Sequence, residues 1–180
     1  TNILLYSVFH LSEPTAGIEW STVEHLAAHP KVKWWIPISL GDFHRGFPVV
    51  ATNDSYLEHY RYGRDEPLEL ATGKWFAGPD QVVLGSDVAR RLGYGPGASV
   101  VLAHGSGGGP AIIKHADHPF TVSGVLAPTG TPVDQGLYIS LQAMALIHSG
   151  GRYAYPTPGG PAASDMPDSV NAVMLGLKQR

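Results

Sequence analysis

Apolar and polar positions along this chain change places in short bursts and settle into helical spacing at only a few points. Residues 3–11 are apolar with Ser and His interspersed and predict a strand or extended lead-in. Ser21-Thr22-Val23-Glu24 has the form of a capping box, in which a hydroxyl and a carboxylate each satisfy one orphan backbone donor. Trp20, Val23, Leu26 and Ala27 then recur at the spacing of one helix face, and Pro30 ends that helix. Residues 34–40 and 47–51 read as strands flanking a loop over 41–46, which makes a hairpin. Strand alternation sends Trp34 and Trp35 to opposite faces; whichever is exposed is the contact residue this pattern offers.

Further along, a short helix is expected over 54–60 and a segment over 68–76 that turns at Gly73. A short buried strand over 82–84 precedes a helix over 86–92, which Gly93 closes where a left-handed residue belongs. Strands over 99–103, 111–114 and 120–127 are separated by Gly and Pro turns, and a strand over 136–139 leads into a helix over 141–148. Residues 149–169 hold four Pro and four Gly among small polar residues, a composition expected to form a flexible loop. The apolar run over 170–177 closes the chain. Short helices mixed with hairpin strands point to an α+β fold rather than a parallel doubly wound sheet.

Composition narrows the function classes. An apolar fraction of 43% with 15% charged residues is that of a folded globular domain. A net charge of -3, with the 12 Lys and Arg scattered, leaves no basic surface for nucleic acid. No Cys is present, so disulfides and thiolate metal sites are excluded. No window is apolar enough to cross a bilayer as a helix, and both ends read as boundaries cut within a longer polypeptide.

Three groups of residues are candidates for chemistry. The run His104-Gly105-Ser106-Gly107-Gly108-Gly109-Pro110 lacks the Gly-Lys-Ser/Thr of a phosphate loop and the Gly spacing of a nucleophile elbow, so it reads as a hairpin tip. A small hydrolase built around Ser106 is the weakest reading. Nine histidines make metal binding, of zinc above all, the second reading. Its candidates are His25 and His29, four apart on the expected helix, and His115-Ala116-Asp117-His118, with His115, Asp117 and His118 as ligands. His25 and His29 lack the Glu of His-Glu-x-x-His, and Asp65, Glu66 and Glu69 read as solvated charge. Trp34, Trp35, Tyr56, Tyr60 and Tyr62 read as core packing.

The leading reading comes from a resemblance. Gly73-Lys74-Trp75-Phe76, then Val82-Val83-Leu84-Gly85 leading to Ala89-Arg90-Arg91-Leu92-Gly93, then the strand start at 97–101, then Phe120-Thr121-Val122-Ser123-Gly124-Val125-Leu126 occur in one order. In that order and spacing they resemble the MacB-like periplasmic core domain of bacterial ABC-transporter permeases in the MacB, LolC/LolE and FtsX group. The string 36–46 and the string Ala127-Pro128-Thr129-Gly130-Thr131-Pro132-Val133-Asp134 resemble a subgroup of permeases, which extends the likeness over most of the chain.

The resemblance implies a mixed α/β lobe, about residues 1–65 and 170–180, with a smaller mostly-β lobe, about 66–148, inserted into it. It also implies that the family domain continues past the strand at 172–177, so the first lobe is expected to be truncated at its C-terminal side. The implied place is the periplasmic side of the bacterial inner membrane, joined to membrane helices absent from this chain. The implied partners are a second permease copy, a separate cytoplasmic ATPase subunit and a periplasmic client or accessory protein. The implied job is transmission of ATPase-driven motion, with no cofactor and no catalytic residue.

Overall fold

The structure, a computed structural model, describes residues 17–104, 113–114, 118–148 and 166–178. The expected strand over 3–11, the glycine tip after His104 and most of the 149–169 loop lie outside the described residues. In chain order the elements are β1 (Ile18–Glu19), α1 (Trp20–Ala27), β2 (Val32–His44), β3 (Phe47–Thr52), α2 (Ser55–His59), β4 (Arg61–Tyr62), β5 (Glu66–Pro67) and β6 (Leu70–Gly73). There follow β7 (Gln81–Leu84), α3 (Ser86–Leu92), β8 (Ser99–Val100), β9 (Ala103–His104), β10 (Ile113–Lys114) and β11 (Phe120–Leu126). A 3-10 turn (Pro132–Gln135), β12 (Leu137–Ser140), α4 (Leu141–His148), β13 (Ser169–Val170) and β14 (Ala172–Leu177) complete the set.

One mixed sheet organises the fold, in the order β10-β9-β2-β3-β12-β7-β11-β6, with β14 paired to β2 and β8 to β11. Two neighbouring pairs are parallel, β12 with β3 and β11 with β7; the rest are antiparallel. The α+β class is thus the observed one. The three central strands are apolar at every interior position because both faces of the sheet are covered. Val49, Ala51, Val82, Leu84, Leu137 and Ile139 pack on one side with Val23 of α1, Val88 of α3 and Met144 and Ile147 of α4. Val50, Val83 and Tyr138 pack on the other with Ile36, Ile38, Tyr56, Phe76, Leu126 and Val133.

Local chemistry accounts for where the elements begin and end. Gly93, at φ 68°, closes α3 in the left-handed conformation that its lack of Cβ permits. The helices over 86–92 and 141–148 fall where the pattern of residues placed them. The capping box does not form. The Glu19 backbone takes the cap position of α1, Trp20 donates its backbone N–H to the Asp168 carbonyl, and the Glu24 carboxylate accepts the Trp20 indole N–H at 3.0 Å. The helix therefore starts before Ser21, its first residue fixed by a tertiary contact and the box's Glu diverted to the indole.

The loop expected over 41–46 is also mostly strand. β2 runs to His44 with an irregularity between Leu40 and Phe43, and the turn contracts to Arg45 and Gly46, both with positive φ, the two-residue hairpin that matches strand twist. At this irregularity β2 pairs on its other edge with β9 through Asp42 and Phe43, and this extra ladder keeps the segment extended. Trp34 and Trp35 do take opposite faces, Trp34 with the Tyr56 cluster and Trp35 edge-on to Trp20. Both are half-buried, so neither is the exposed contact residue.

Gly176 stands opposite Trp34 in the β2–β14 ladder, and a Cβ placed there would lie 2.1 Å from the indole Cε2. The indole covers the glycine and stacks on His59 at 5.0 Å between ring centroids. Gly176→Val is expected to lift Trp34 from this seat, lowering stability by about 1–3 kcal/mol and red-shifting tryptophan emission. Urea unfolding followed by fluorescence measures both; an unchanged midpoint and spectrum would contradict the packing described.

Candidate functional site

Candidate side chains are distributed over four places. His25 is exposed on the last turn of α1, and His29 is exposed beyond the end of that helix at Ala27, so the two do not share a helix face. The His29 ring is engaged locally: its Nδ1 accepts the Lys31 backbone N–H at 3.2 Å. His118 lines a shallow, largely apolar cleft with Asp80, Phe120, Leu146 and Ile147, its enclosed space no larger than about one water. His115, Asp117 and Ser106 lie outside the described residues. Among the described residues no three His, Asp or Glu side chains converge as a metal-holding group.

The most deeply buried carboxyl group among the described residues carries no signal in the sequence. Asp42, at the bulge of β2, is 0% exposed. The Nε2 of His148, at the last turn of α4, lies 3.3 Å from its Oδ1 and 3.2 Å from its Oδ2. The pair spans 106 positions of sequence, so nothing in local spacing signals it. Two residues on, His44 is buried, with Nδ1 2.7 Å from the Val101 carbonyl, to which it donates, and Nε2 3.4 Å from the Tyr94 hydroxyl. Burial lowers the His44 pKa, and the neighbouring Arg45 charge adds to this against the opposing pull of the Val101 carbonyl.

A second polar centre explains the Ala127–Asp134 string. The Asp134 carboxylate, buried beside the 3-10 turn, accepts the backbone N–H of Thr129 at 2.8 Å and of Gly130 at 2.7 Å, and the Thr129 hydroxyl at 2.9 Å. Thr131 caps the turn by accepting the Val133 N–H. Gly85, which ends the Val82–Gly85 string, presses on this knot: a Cβ there would lie 2.4 Å from the Asp134 carbonyl oxygen. The strings that carry the resemblance therefore meet in space, as close backbone packing rather than as a reacting centre.

The third feature is an aromatic stack of Tyr56, Tyr60, Trp75 and Tyr138, with Tyr56 and Tyr60 centroids 4.9 Å apart. The Tyr138 hydroxyl donates to the Val133 carbonyl at 2.9 Å, whereas the Tyr56 hydroxyl makes no well-formed hydrogen bond among the described residues, only a weaker polar contact with the Tyr138 hydroxyl. Burial raises the pKa of Tyr56, Tyr60 and Tyr138. A raised folded-state pKa means that the unfolded chain ionises first, so stability holds below pH 10 and falls as pH rises from there. Tyr56→Phe removes one such group and a buried, weakly bonded hydroxyl. Its midpoint in urea is expected to match or exceed that of the native chain at pH 7, by up to about 1 kcal/mol, and to fall less steeply above pH 10. A loss of more than about 1 kcal/mol at pH 7 would show that the hydroxyl is satisfied after all.

The model of the family described as MacB-like periplasmic core domain matches residues 2–175. The fold is similar to the extracellular domain of the noncanonic ABC-type transporter YknZ from Gram-positive bacteria, at 14% identity and a TM-score of 0.57, covering 92% of this chain and 75% of that one. It is similar at 12% identity and a TM-score of 0.57 to the periplasmic region of MacB from Actinobacillus actinomycetemcomitans, covering 91% of this chain and 66% of that one. No curated protein matches the chain.

Proposed function

Since the chain belongs to the MacB-like periplasmic core domain family, we propose that this periplasmic domain of an ABC-transporter permease transmits ATPase-driven motion to a periplasmic client or accessory protein. The family match over residues 2–175 is the observation that carries the reading. In this reading ATP hydrolysis belongs to a separate cytoplasmic ATPase subunit, a second permease copy stands alongside, and the domain works mechanically rather than as an enzyme. No helix among the described residues is long and apolar enough to cross a membrane, so anchorage is assigned to other segments of the transporter.

The architecture suits a lever. A sheet covered on both faces, with close backbone packing at Gly73, Gly85 and Gly124, resists compression and passes displacement from one edge to the other. Expression of the complete gene product with its ATPase, followed by membrane fractionation and protease treatment of spheroplasts, tests the placement. The product should sediment with membranes and lose this domain only to protease added from outside. A product that stays in the cytosolic fraction would sink the reading.

A further inference from the structure

The adjacent strands β3 and β12 run parallel, with Thr52 paired to Ser140 at their carboxyl ends. From there the chain leaves in opposite directions. Asn53 and Asp54 lead into α2, whose Tyr56 packs on one face of the sheet, while α4 starts at Leu141 and packs Ala143, Met144 and Ile147 on the other. Parallel strands whose following helices go to opposite faces leave a crevice outside their carboxyl ends, because neither helix covers the gap between them. Such a crevice is present: a cleft of about 230 Å3, far more than one water needs, opens beside Thr52 and Ser140.

The groups lining the cleft define a ligand. Phe76 and Leu141 supply apolar wall, and Met166, 49% exposed, adds to it. Several polar groups are already committed: the Thr52 hydroxyl donates to the Pro37 carbonyl at 2.7 Å, and the Ser140 hydroxyl accepts the Ala143 N–H at 3.0 Å. The Asn53 Oδ1 is different, a buried acceptor with no hydrogen-bond partner among the described residues, and such an acceptor is costly to leave unmet. Asp54 beside it is exposed, and its carboxylate does not cap α2. No Lys, Arg or His lines the cleft. An unmet acceptor, a negative charge and an apolar wall together select a positively charged hydrogen-bond donor on an apolar stem.

We propose that the cleft at the carboxyl ends of β3 and β12 binds a primary ammonium group borne on a short apolar stem. The Asn53 Oδ1 accepts one of its N–H bonds, the Asp54 carboxylate balances its charge, and the stem lies against Phe76 and Leu141. A free small amine and the lysine side chain of a peptide both present this group. The site does not rest on the transporter reading.

The test is titration of the isotope-labelled chain with benzylamine, followed by amide shifts in two-dimensional NMR, with benzoate and benzyl alcohol as the anionic and neutral counterparts. The expected result is saturable binding of the amine, with shifts centred on residues 52–54 and 140–142, and none with benzoate. Affinity should fall about threefold to tenfold in each of Asp54→Asn and Asn53→Ala. Circular dichroism reports whether each variant is folded, and the exposed Asp54→Asn keeps the test decisive should Asn53→Ala unfold. Tighter binding of Nα-acetyl-lysine methylamide than of benzylamine identifies a peptide lysine as the source, and the reverse a free amine; either supports the site. No saturable shift with benzylamine, shifts centred elsewhere, benzoate or benzyl alcohol binding as tightly, or an affinity undisturbed by Asp54→Asn would each overturn the proposal.

Discussion

Asp134→Ala is expected to lower stability by about 2–4 kcal/mol, a large part of the total for a domain of this size. The carboxylate gathers three donors, and alanine supplies no replacement for any of them. The Thr129 N–H is left in a partly buried turn, where an unmet donor costs about 1–3 kcal/mol. The loss spreads, because Gly85 packs on the Asp134 carbonyl and donates its own N–H to the Gly136 carbonyl at 2.8 Å. Asp134→Asn retains one acceptor oxygen and should lose less. Equilibrium unfolding in urea ranks the three chains; equal midpoints for Asp134→Ala and the native chain would show that the knot is not holding the turn.

Gly73→Val is expected to be comparably damaging, at about 2–5 kcal/mol, from two separable causes. Gly73 has φ +76°, a conformation that costs an ordinary L-residue about 1–2 kcal/mol. A Cβ there would also lie 2.2 Å from the Ser123 carbonyl oxygen and 2.6 Å from the Gly124 Cα, backbone atoms that cannot swing aside, which adds about 1–3 kcal/mol. Gly63 provides the control: its φ is +56° but nothing lies within 4 Å of a Cβ, so Gly63→Ala should show the conformational cost alone. Thermal and urea unfolding of both variants separates the causes; similar losses for the two would mean that the β6–β11 approach is looser than described.

These glycines show why the family was legible in the chain before its structure. Gly73, Gly85 and Gly124 belong to the strings that carry the resemblance, and each meets backbone atoms where no side chain fits. Gly73 and Gly124 are partners across the β6–β11 ladder. Helices closed by local signals, such as the one ending at Gly93, were legible for the same reason: the signal and its effect lie within one turn. What escaped was decided at long range. The 41–44 segment is strand because β9 pairs with it, and α1 starts at Trp20 because Asp168 supplies an acceptor. Asp42 and His148 meet only after the sheet has assembled, so the histidine pair suggested by spacing, His25 and His29, was the visible one and the deeper pairing was not.

Transmission of motion through this domain can be measured in the complete transporter. The chain has no Cys, so Arg64→Cys on the exposed β4–β5 hairpin gives a single labelling position within this domain. With any other cysteines of the transporter replaced, spin labels there report the distance between the two copies in the nucleotide-free and the ATP-trapped states. The distance distribution is expected to move as a whole between the two states while the domain's own fold is unchanged. The same distribution in both states, in a transporter that hydrolyses ATP normally, would contradict it.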